Sequence, residues 1–166
     1  MKLNIDELKL TLLNTSFGEI EAALRNFDIA SFDRNGDNIL HYYAVAYKSV
    51  QAPVENMIQL FIDFGININA TQSKMAKRSA LHLAVLKKSK DIFDVLLRKG
   101  ADVNVQDGNG NVPLFNAVFV YSGDDGYFIE TLISNGARVD IINNHGVSPK
   151  ILAERIANYD TRKFFK

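Results

Sequence analysis

The 166-residue chain contains no cysteine. This absence excludes disulfide bonds, zinc sites with thiolate ligands and cysteine nucleophiles, and it suits a reducing compartment. Lysine plus arginine number 19, as do aspartate plus glutamate, so the formal net charge is zero. A neutral chain has no overall field to attract nucleic acid or an anionic membrane, although local charged patches remain possible. We therefore expect neither class of partner.

The chain also lacks a long hydrophobic run. No apolar segment approaches the roughly 20 residues that a helix needs to span a bilayer. The N-terminal apolar region carries Asp6 and Glu7, which a secretory signal peptide would not. We therefore expect a soluble, cytoplasmic protein.

What the chain does contain is self-similarity. The segments FIDFGININ, LLRKGADVN and LISNGARVD place a glycine in nearly the same surroundings, at Gly65, Gly100 and Gly136. The upstream half recurs as DRNGDNILHYYA, KMAKRSALHLAV, DGNGNVPLFNAV and NNHGVSPKILAE, which begin at Asp33, Lys74, Asp107 and Asn143. A period of about 33 to 36 residues indicates a protein of stacked repeats.

Each repeat predicts a turn followed by two helices. The DGNG segment at 107–110 has turn chemistry, since aspartate bonds the backbone and glycine supplies a positive φ. A short helix follows, in whose first turn Pro113 is tolerated. The segment KDIFDVLLRK then predicts a second helix with a wide apolar stripe, which Gly100 ends. One such unit cannot bury its own apolar face, so its neighbours must stack on it.

These features resemble the ankyrin repeat over about residues 33 to 155. The family motif Thr-Pro-Leu-His-x-Ala is matched by SALHLA at 79–84, NILH at 38–41, VPLF at 112–115 and SP at 148–149. The resemblance implies an all-α ankyrin-repeat solenoid of about three to four repeats plus capping helices.

We expect one domain over residues 1–166, monomeric on its own. Terminal repeats need a polar outer face, and the helical segments at both ends of the chain provide one. The predicted parts are an N-terminal cap at 1–32, repeats at 33–73, 74–106 and 107–142, and a C-terminal cap at 143–166.

The histidines predict structure rather than chemistry. His41 and His82 occupy the histidine position of the motif, where the resemblance implies a hydrogen-bonded brace between adjoining turns, and Phe115 takes this position in the next copy. His145 lies in the last turn, where we expect it to be exposed and available to a partner. Three histidines in three repeats cannot converge on a zinc ion. The acidic GDDG segment at 123–126 lacks the ligand spacing of a calcium loop.

No phosphate-binding loop, dinucleotide fingerprint or Gly-x-Ser-x-Gly motif occurs in the chain. We therefore expect no enzyme, no catalytic residue, no cofactor and no metal.

Two copies depart from the repeat length. The first is longer than the second, mainly between its helices, and the third carries extra residues in VFVYSGDDGYF. Loop entropy rises slowly with length, so the insertions can be passive. Aromatic residues nevertheless cluster there: Tyr42, Tyr43, Tyr47, Phe119, Tyr121 and Tyr127. We expect Phe119 and one of Tyr42 and Tyr43 to be core residues, and at least two of the others to contact a partner.

The fold predicts a protein-binding module, with a concave face formed by hairpin tips and first helices. The charges on that face are mixed in sign, which favours a specific protein over a polyanion. The candidate residues on this face are Arg34, Asn35, Asp37, Lys77, Arg78, Asn109, Asn111 and His145. Those on the rim formed by the connections between paired helices are Tyr47, Lys48, Lys87, Tyr121, Asp124 and Asp125.

A narrower function follows from resemblance alone. Copies such as NILHYYA and HGVSPKILAE are similar to those of small ankyrin-repeat immunity proteins of bacterial toxin systems. The resemblance implies an inhibitor that binds and neutralises a cognate toxin domain. The alternative is a scaffold or regulatory adaptor that binds another protein. The sequence leaves open which of the two applies, and whether binding uses the concave face or the inserted loops.

Overall fold

The computed structural model describes residues 2–74, 76–123, 126–156 and 160–165. Over these residues the chain forms α-helices and short 3₁₀ turns and no β-strand, which confirms the all-α repeat architecture. The helices are α1 (Ile5–Asn14), α2 (Phe17–Leu24), α3 (Ile39–Ala46), α4 (Val54–Asp63), α5 (Ala80–Leu86), α6 (Lys90–Arg98), α7 (Pro113–Val120), α8 (Tyr127–Ser134) and α9 (Pro149–Arg155). The 3₁₀ turns are Tyr47–Ser49 and Thr161–Phe165.

The helices form two layers. The first helices of the repeats, α3, α5, α7 and α9, pack side by side, and α4 packs beside α6 in the second layer. Within units, α1 pairs with α2, α5 with α6 and α7 with α8. The rings of Tyr43 and Phe61 join α3 to α4, with centroids 5.6 Å apart and an edge-to-face geometry. One hydrophobic core therefore runs through the whole stack, from Leu8 in α1 to Ala153 in α9.

Polar caps and left-handed glycines set the helix bounds. The side chains of Asn38, Ser79 and Ser148 each accept a hydrogen bond from the backbone amide three residues later, so they cap α3, α5 and α9. The second helices end before Gly65, Gly100 and Gly136, whose φ angles are 91°, 83° and 86°. This left-handed conformation favours glycine, as the sequence predicts.

The longer connection in the first repeat is packed. Tyr47 is only 8% exposed and Val50 is buried. The Tyr47 hydroxyl donates to Asp91 Oδ2 in α6, 3.4 Å away, so this connection contacts the next repeat. The prediction that Tyr47 lies exposed along a rim is therefore wrong, because its ring fills space between two repeats. Lys48 in the same connection is exposed.

Of the two predictions about aromatic core residues, one is confirmed and the other is wrong. Tyr43 is fully buried, which fulfils the prediction that one of Tyr42 and Tyr43 is a core residue. Phe119 was expected in the core, but 67% of its surface is exposed. The reason is that α7, PLFNAVFV, is apolar on almost every side, so its pattern does not say which apolar side chain faces inward.

None of the helices in the described part of the chain is both long and apolar enough to cross a membrane.

Candidate protein-binding surface

A turn precedes each first helix of the repeats, and an Asp or Asn side chain shapes three of these turns. Asp33 Oδ1 accepts the backbone amides of Asn35 and Asp37 at 2.8 and 2.9 Å. Asp107 holds its turn through the equivalent two bonds, also at 2.8 and 2.9 Å. Asn143 does the same in the last turn, at 2.9 and 3.0 Å. These bonds satisfy the turn amides internally and fix the backbone.

The turns are joined to one another by backbone hydrogen bonds. Ser73 N donates to Gly36 O at 2.9 Å, Gly108 N to Ala76 O at 2.6 Å, and Asn144 N to Asn109 O at 2.9 Å. We call the described residues of the four turns the hairpin row, which comprises residues 33–37, 73–74 with 76–78, 107–111 and 143–147. Because each turn is bonded to the next, the hairpin row is a rigid edge of the stack.

The first turn is also tied to the N-terminal helix pair. Lys9 Nζ lies 2.5 Å from Asp33 Oδ2. Burial alone would raise the pKa of Asp33, but the hydrogen bonds from Lys9 and from the amides of Asp37 and Asn35 outweigh it and hold the pKa below its ordinary value. The carboxylate is therefore charged, and it joins α1 to the hairpin row.

His41 and His82 are both buried and bridge adjoining repeats. His82 Nδ1 accepts from the Ser79 backbone amide at 3.2 Å, and its Nε2 lies 2.9 Å from Asn111 O in the next turn. His41 makes the same contacts with Asn38 N at 3.1 Å and Ala70 O at 2.9 Å. The prediction that these histidines brace the turns is confirmed by these bonds.

The bonding partners determine the protonation state of these rings. A backbone amide can only donate and a carbonyl oxygen can only accept, so in His82 the proton lies on Nε2 and Nδ1 carries the lone pair. A second proton on Nδ1 would face the Ser79 amide. Burial lowers the pKa of His82, against the opposing effect of the Asn111 carbonyl, and it lowers the pKa of His41 in the same way. Both rings are therefore neutral in the folded state.

We expect the thermal midpoint to fall as the pH is lowered from about 7.5 to about 5, because the unfolded histidines gain protons there that the buried rings resist. A histidine whose pKa is lowered on folding does not reduce the stability at a pH above its unfolded pKa of 6.5. Stability is lost as the pH falls below that value, because the unfolded chain then binds protons that the folded chain does not. Thermal melts across this range should show a shallower pH dependence for His82→Gln than for the wild type.

The other charged groups near these residues bear on how the pH test is interpreted. Asp33, whose pKa is lowered, loses its stabilising effect only as the pH falls below its ordinary 3.8, which lies outside the range. Asp107 and Arg78 are the charged groups that influence His82, in opposite directions. Parallel pH profiles for wild type and His82→Gln would contradict the role assigned to this ring.

Beside the hairpin row, the first helices expose apolar side chains. Val45 in α3 is 49% exposed, Phe119 in α7 is 67% exposed, and Leu86 between them in α5 is partly exposed. All three stand four residues after the position of His41, His82 and Phe115, so they share one register along the stack. We call Val45, Leu86 and Phe119 the apolar stripe, and the face formed by the apolar stripe and the hairpin row the hairpin-side face.

The hairpin-side face contains most of the residues that the sequence singles out. Arg34, Asn35, Lys77, Asn109 and His145 are exposed in the hairpin row, and Lys87 is exposed at the end of α5. Whether they contact a partner stays a prediction.

Other predicted contact residues are engaged within the protein. Asp37 accepts a hydrogen bond from Gln72 Nε2 at 2.6 Å. Asn111 Oδ1 accepts from Asn143 Nδ2 at 2.7 Å, within the hairpin row. Arg78 is partly buried. These three side chains therefore belong to the internal structure of the hairpin row as well as to its surface.

The connection in the third repeat differs from its prediction in part. Tyr121 was expected on an exposed rim, but its ring packs edge-to-face on Phe164 with centroids 5.5 Å apart, so it is partly buried. The neighbouring Asp124 and Asp125 lie outside the described residues. Lys88 Nζ donates to Ser122 Oγ at 2.8 Å, which places this connection beside that of the second repeat.

Sequence reasoning missed the apolar stripe. Val45 and Leu86 were not among the candidates, and Phe119 was assigned to the core. The sequence did contain an indication of it. Helices α3, α5 and α7 are apolar on more sides than their neighbouring helices and the second layer can cover, so some apolar side chains must remain exposed.

The opposite side of the stack has a groove of about 400 Å³ between α2 and α4, with Phe17 and Leu60 in its lining. Its Glu55 pairs with Arg98 at the end of α6 and with Lys99, the next residue, whose Nζ lies 3.0 Å away. Hydrogen bonds from these two cations lower the pKa of Glu55. Within the described ranges, no group of three or more His, Asp or Glu side chains comes together as a metal site.

Comparison with known proteins identifies the repeat. The family described as "Ankyrin repeats (3 copies)" matches residues 12–107. The chain is 30% identical over 119 residues to the nuclear factor NF-kappa-B p105 subunit of Gallus gallus, which covers 70% of this chain and 12% of that protein. It is 37% identical over 111 residues to neurogenic locus notch homolog protein 1 of Danio rerio, covering 66% of this chain and 4% of that protein.

A viral relative shows the same pattern. An ankyrin repeat protein of fowlpox virus (strain NVSL) is 32% identical over 108 residues, which covers 63% of this chain and 31% of that protein. The chain thus spans less than a third of the length of each of these three relatives, and the similarity lies in the repeats.

Proposed function

Because the chain belongs to the ankyrin-repeat family, we propose that it is a non-catalytic module that binds a partner protein on its hairpin-side face. Ankyrin repeats mediate protein–protein interaction and are generally non-catalytic binding modules. The observation that carries the proposal is the exposure of Phe119 and Val45 in one row with Leu86. Large apolar side chains exposed in one row are unfavourable in water and are typical of a surface that a partner covers.

The rigidity of the hairpin row supports the same proposal. A surface whose turns are already bonded to one another loses little conformational freedom when a partner binds, so more of the contact free energy appears as affinity. The internal bonds of Asp33, Asp107 and Asn143 order the turns in the absence of any partner.

The finer function, neutralisation of a cognate toxin by an immunity protein, rests on the sequence resemblance and remains a proposal. The adaptor alternative places its partner on the same surface. The two are distinguished by purifying the tagged protein from its native host and identifying what remains bound at high salt. A single toxin domain whose toxicity disappears on co-expression supports the immunity function, whereas several signalling proteins support an adaptor.

We expect Phe119→Ser to weaken binding of the captured partner by about 2 kcal/mol, because a large apolar side chain that a partner covers often acts as an anchor. The thermal midpoint should stay within the small range typical of exposed positions, since most of the Phe119 surface is already in water. Calorimetric titration of wild type and variant gives the difference in affinity.

Glu130→Ser is the control for this measurement, because Glu130 is an exposed residue of α8 in the second layer. It should bind the partner as wild type does. Equal affinities for wild type and Phe119→Ser would exclude the apolar stripe as the binding site and leave the inserted connections as the alternative.

A further inference from the structure

Positive charge lies at both ends of the first helices α3 and α5. Arg34, Lys77 and Arg78 lie in the hairpin row, just ahead of the N-terminal ends of α3 and α5. Lys48 and Lys87 follow the C-terminal ends of the same two helices. A helix of seven residues, such as α5, rises about 10 Å, so this is the scale of the separation between the two groups of cations.

Negative charge is scarce among the described residues of the hairpin row and of α3, α5 and α7. Helices α3, α5 and α7 contain no charged residue. In the hairpin row, Asp33 and Asp107 are buried and accept backbone amides, while Asp37 accepts from Gln72. In the parts of the chain that the structure describes, none of the five cations forms an ion pair.

Arg78 adds a more specific feature. Its Nε is buried and has no hydrogen-bond partner among the described residues. A buried donor without an acceptor, on a side chain that carries a charge, is unfavourable in the free protein. Because Nε itself is closed to solvent, a carboxylate of a partner meets this partly exposed guanidinium at its terminal nitrogens, which can donate two parallel hydrogen bonds to it.

We infer that the partner of the hairpin-side face is an acidic protein segment that carries large apolar side chains, an inference that rests on the proposed function. Its carboxylates pair with the cations at the two ends of the first helices, Arg78 above all. Its apolar side chains cover Val45, Leu86 and Phe119. A nucleic acid would leave the aliphatic side chains of the stripe without a matching surface, and the chain as a whole carries no net charge.

The test is a selection of random peptides displayed on phage against the immobilised full chain. Peptides enriched on the wild type are sequenced, and those whose capture is reduced by Phe119→Ser are synthesised. We expect these peptides to be enriched in Asp and Glu together with Leu, Ile and Phe. A single-stranded oligothymidylate is titrated in parallel as the polyanion probe.

Matched substitutions assign the charge contacts. Arg78→Gln should weaken the selected peptides roughly tenfold or more. Arg34→Gln should weaken them as well, and since Arg34 is exposed this variant keeps the test valid if Arg78→Gln does not fold. Arg98→Gln removes the same group from the opposite layer, where Arg98 pairs with Glu55, and should leave peptide binding unchanged.

Each outcome supports or overturns the inference. Acidic, apolar peptides that lose affinity on Arg78→Gln or Arg34→Gln support it. Peptides of neutral or basic composition that depend on Phe119 overturn the partner chemistry and leave the proposed function standing. Enriched peptides indifferent to Phe119→Ser overturn both. Tighter binding of the oligothymidylate than of any peptide, or no enrichment at all, also overturns the inference.

Discussion

Leu81→Ala is expected to lower the free energy of unfolding by about 2–5 kcal/mol, a large part of the stability of a domain of this size. Leu81 is 1% exposed and lies in α5, which packs against α3, α6 and α7. The loss combines the transfer free energy of the removed atoms with the cavity that the neighbouring helices cannot close. Because the core is continuous through the stack, the whole domain should melt at a lower temperature in one transition.

Leu10→Ala is the matched control for this experiment. The substitution is chemically the same, but Leu10 in α1 is 61% exposed, so the change in stability should be within about 0.5 kcal/mol. Thermal and denaturant unfolding, followed by circular dichroism, measure both variants. An unchanged midpoint for Leu81→Ala would show that the repeat register is wrong, and two separated transitions would show that the repeats do not unfold together.

Gly36→Ala is expected to destabilise the protein more than Gly65→Ala, by a further 1–3 kcal/mol or so, because only the first introduces a steric conflict. The two glycines have nearly the same φ, 90° and 91°, so the conformational cost of alanine, about 1–2 kcal/mol, is shared. A Cβ at Gly36 would stand 2.6 Å from the backbone nitrogen of Lys74, in the adjoining turn. At Gly65 it would meet nothing within 4 Å.

The comparison tests the stacking of the hairpin row directly. Denaturant unfolding of the two variants gives the difference in free energy, in which the shared backbone term cancels. We expect Gly110→Ala to lose about as much stability as Gly36→Ala, since its Cβ would stand 3.0 Å from Asn144 N. Gly146→Ala should lose about as little as Gly65→Ala, since its Cβ would meet nothing within 4 Å. If all four variants lost the same stability, the close approach of neighbouring turns would be excluded.

The repeat features could be predicted because they are local. The turn of Asp107 to Gly110, the proline at the start of α7 and the glycine after α6 each act over a few residues of backbone. Lys77 is the exception, since it takes the left-handed position that glycine takes in the other turns, with φ 48°. Local rules favour glycine at this position, so they do not anticipate a lysine there.

The candidate site was predictable in its position but not in its composition. The exposed hairpin residues Arg34, Asn109 and His145 lie where the repeat pattern places them. The aromatic residues do not follow the pattern: Tyr47 turns into the space between two repeats, while Phe119 turns into water. Both side chains lie next to insertions. A longer connection changes which residues surround each ring, although the sequence around the ring stays the same, so the pattern does not predict whether the ring is buried.

The sequence by itself determined the period and the helices and turns, because these depend on backbone preferences that recur along the chain, and its resemblance to the ankyrin repeat implied the bracing role of His41 and His82. Only the tertiary structure decided which apolar side chains of α3, α5 and α7 are covered. Each first helix is packed by two neighbours and the second layer, and the one side left open, with Val45, Leu86 and Phe119, depends on how the repeats stack. Stacking is a property of several units together, and the composition of a single helix does not contain it.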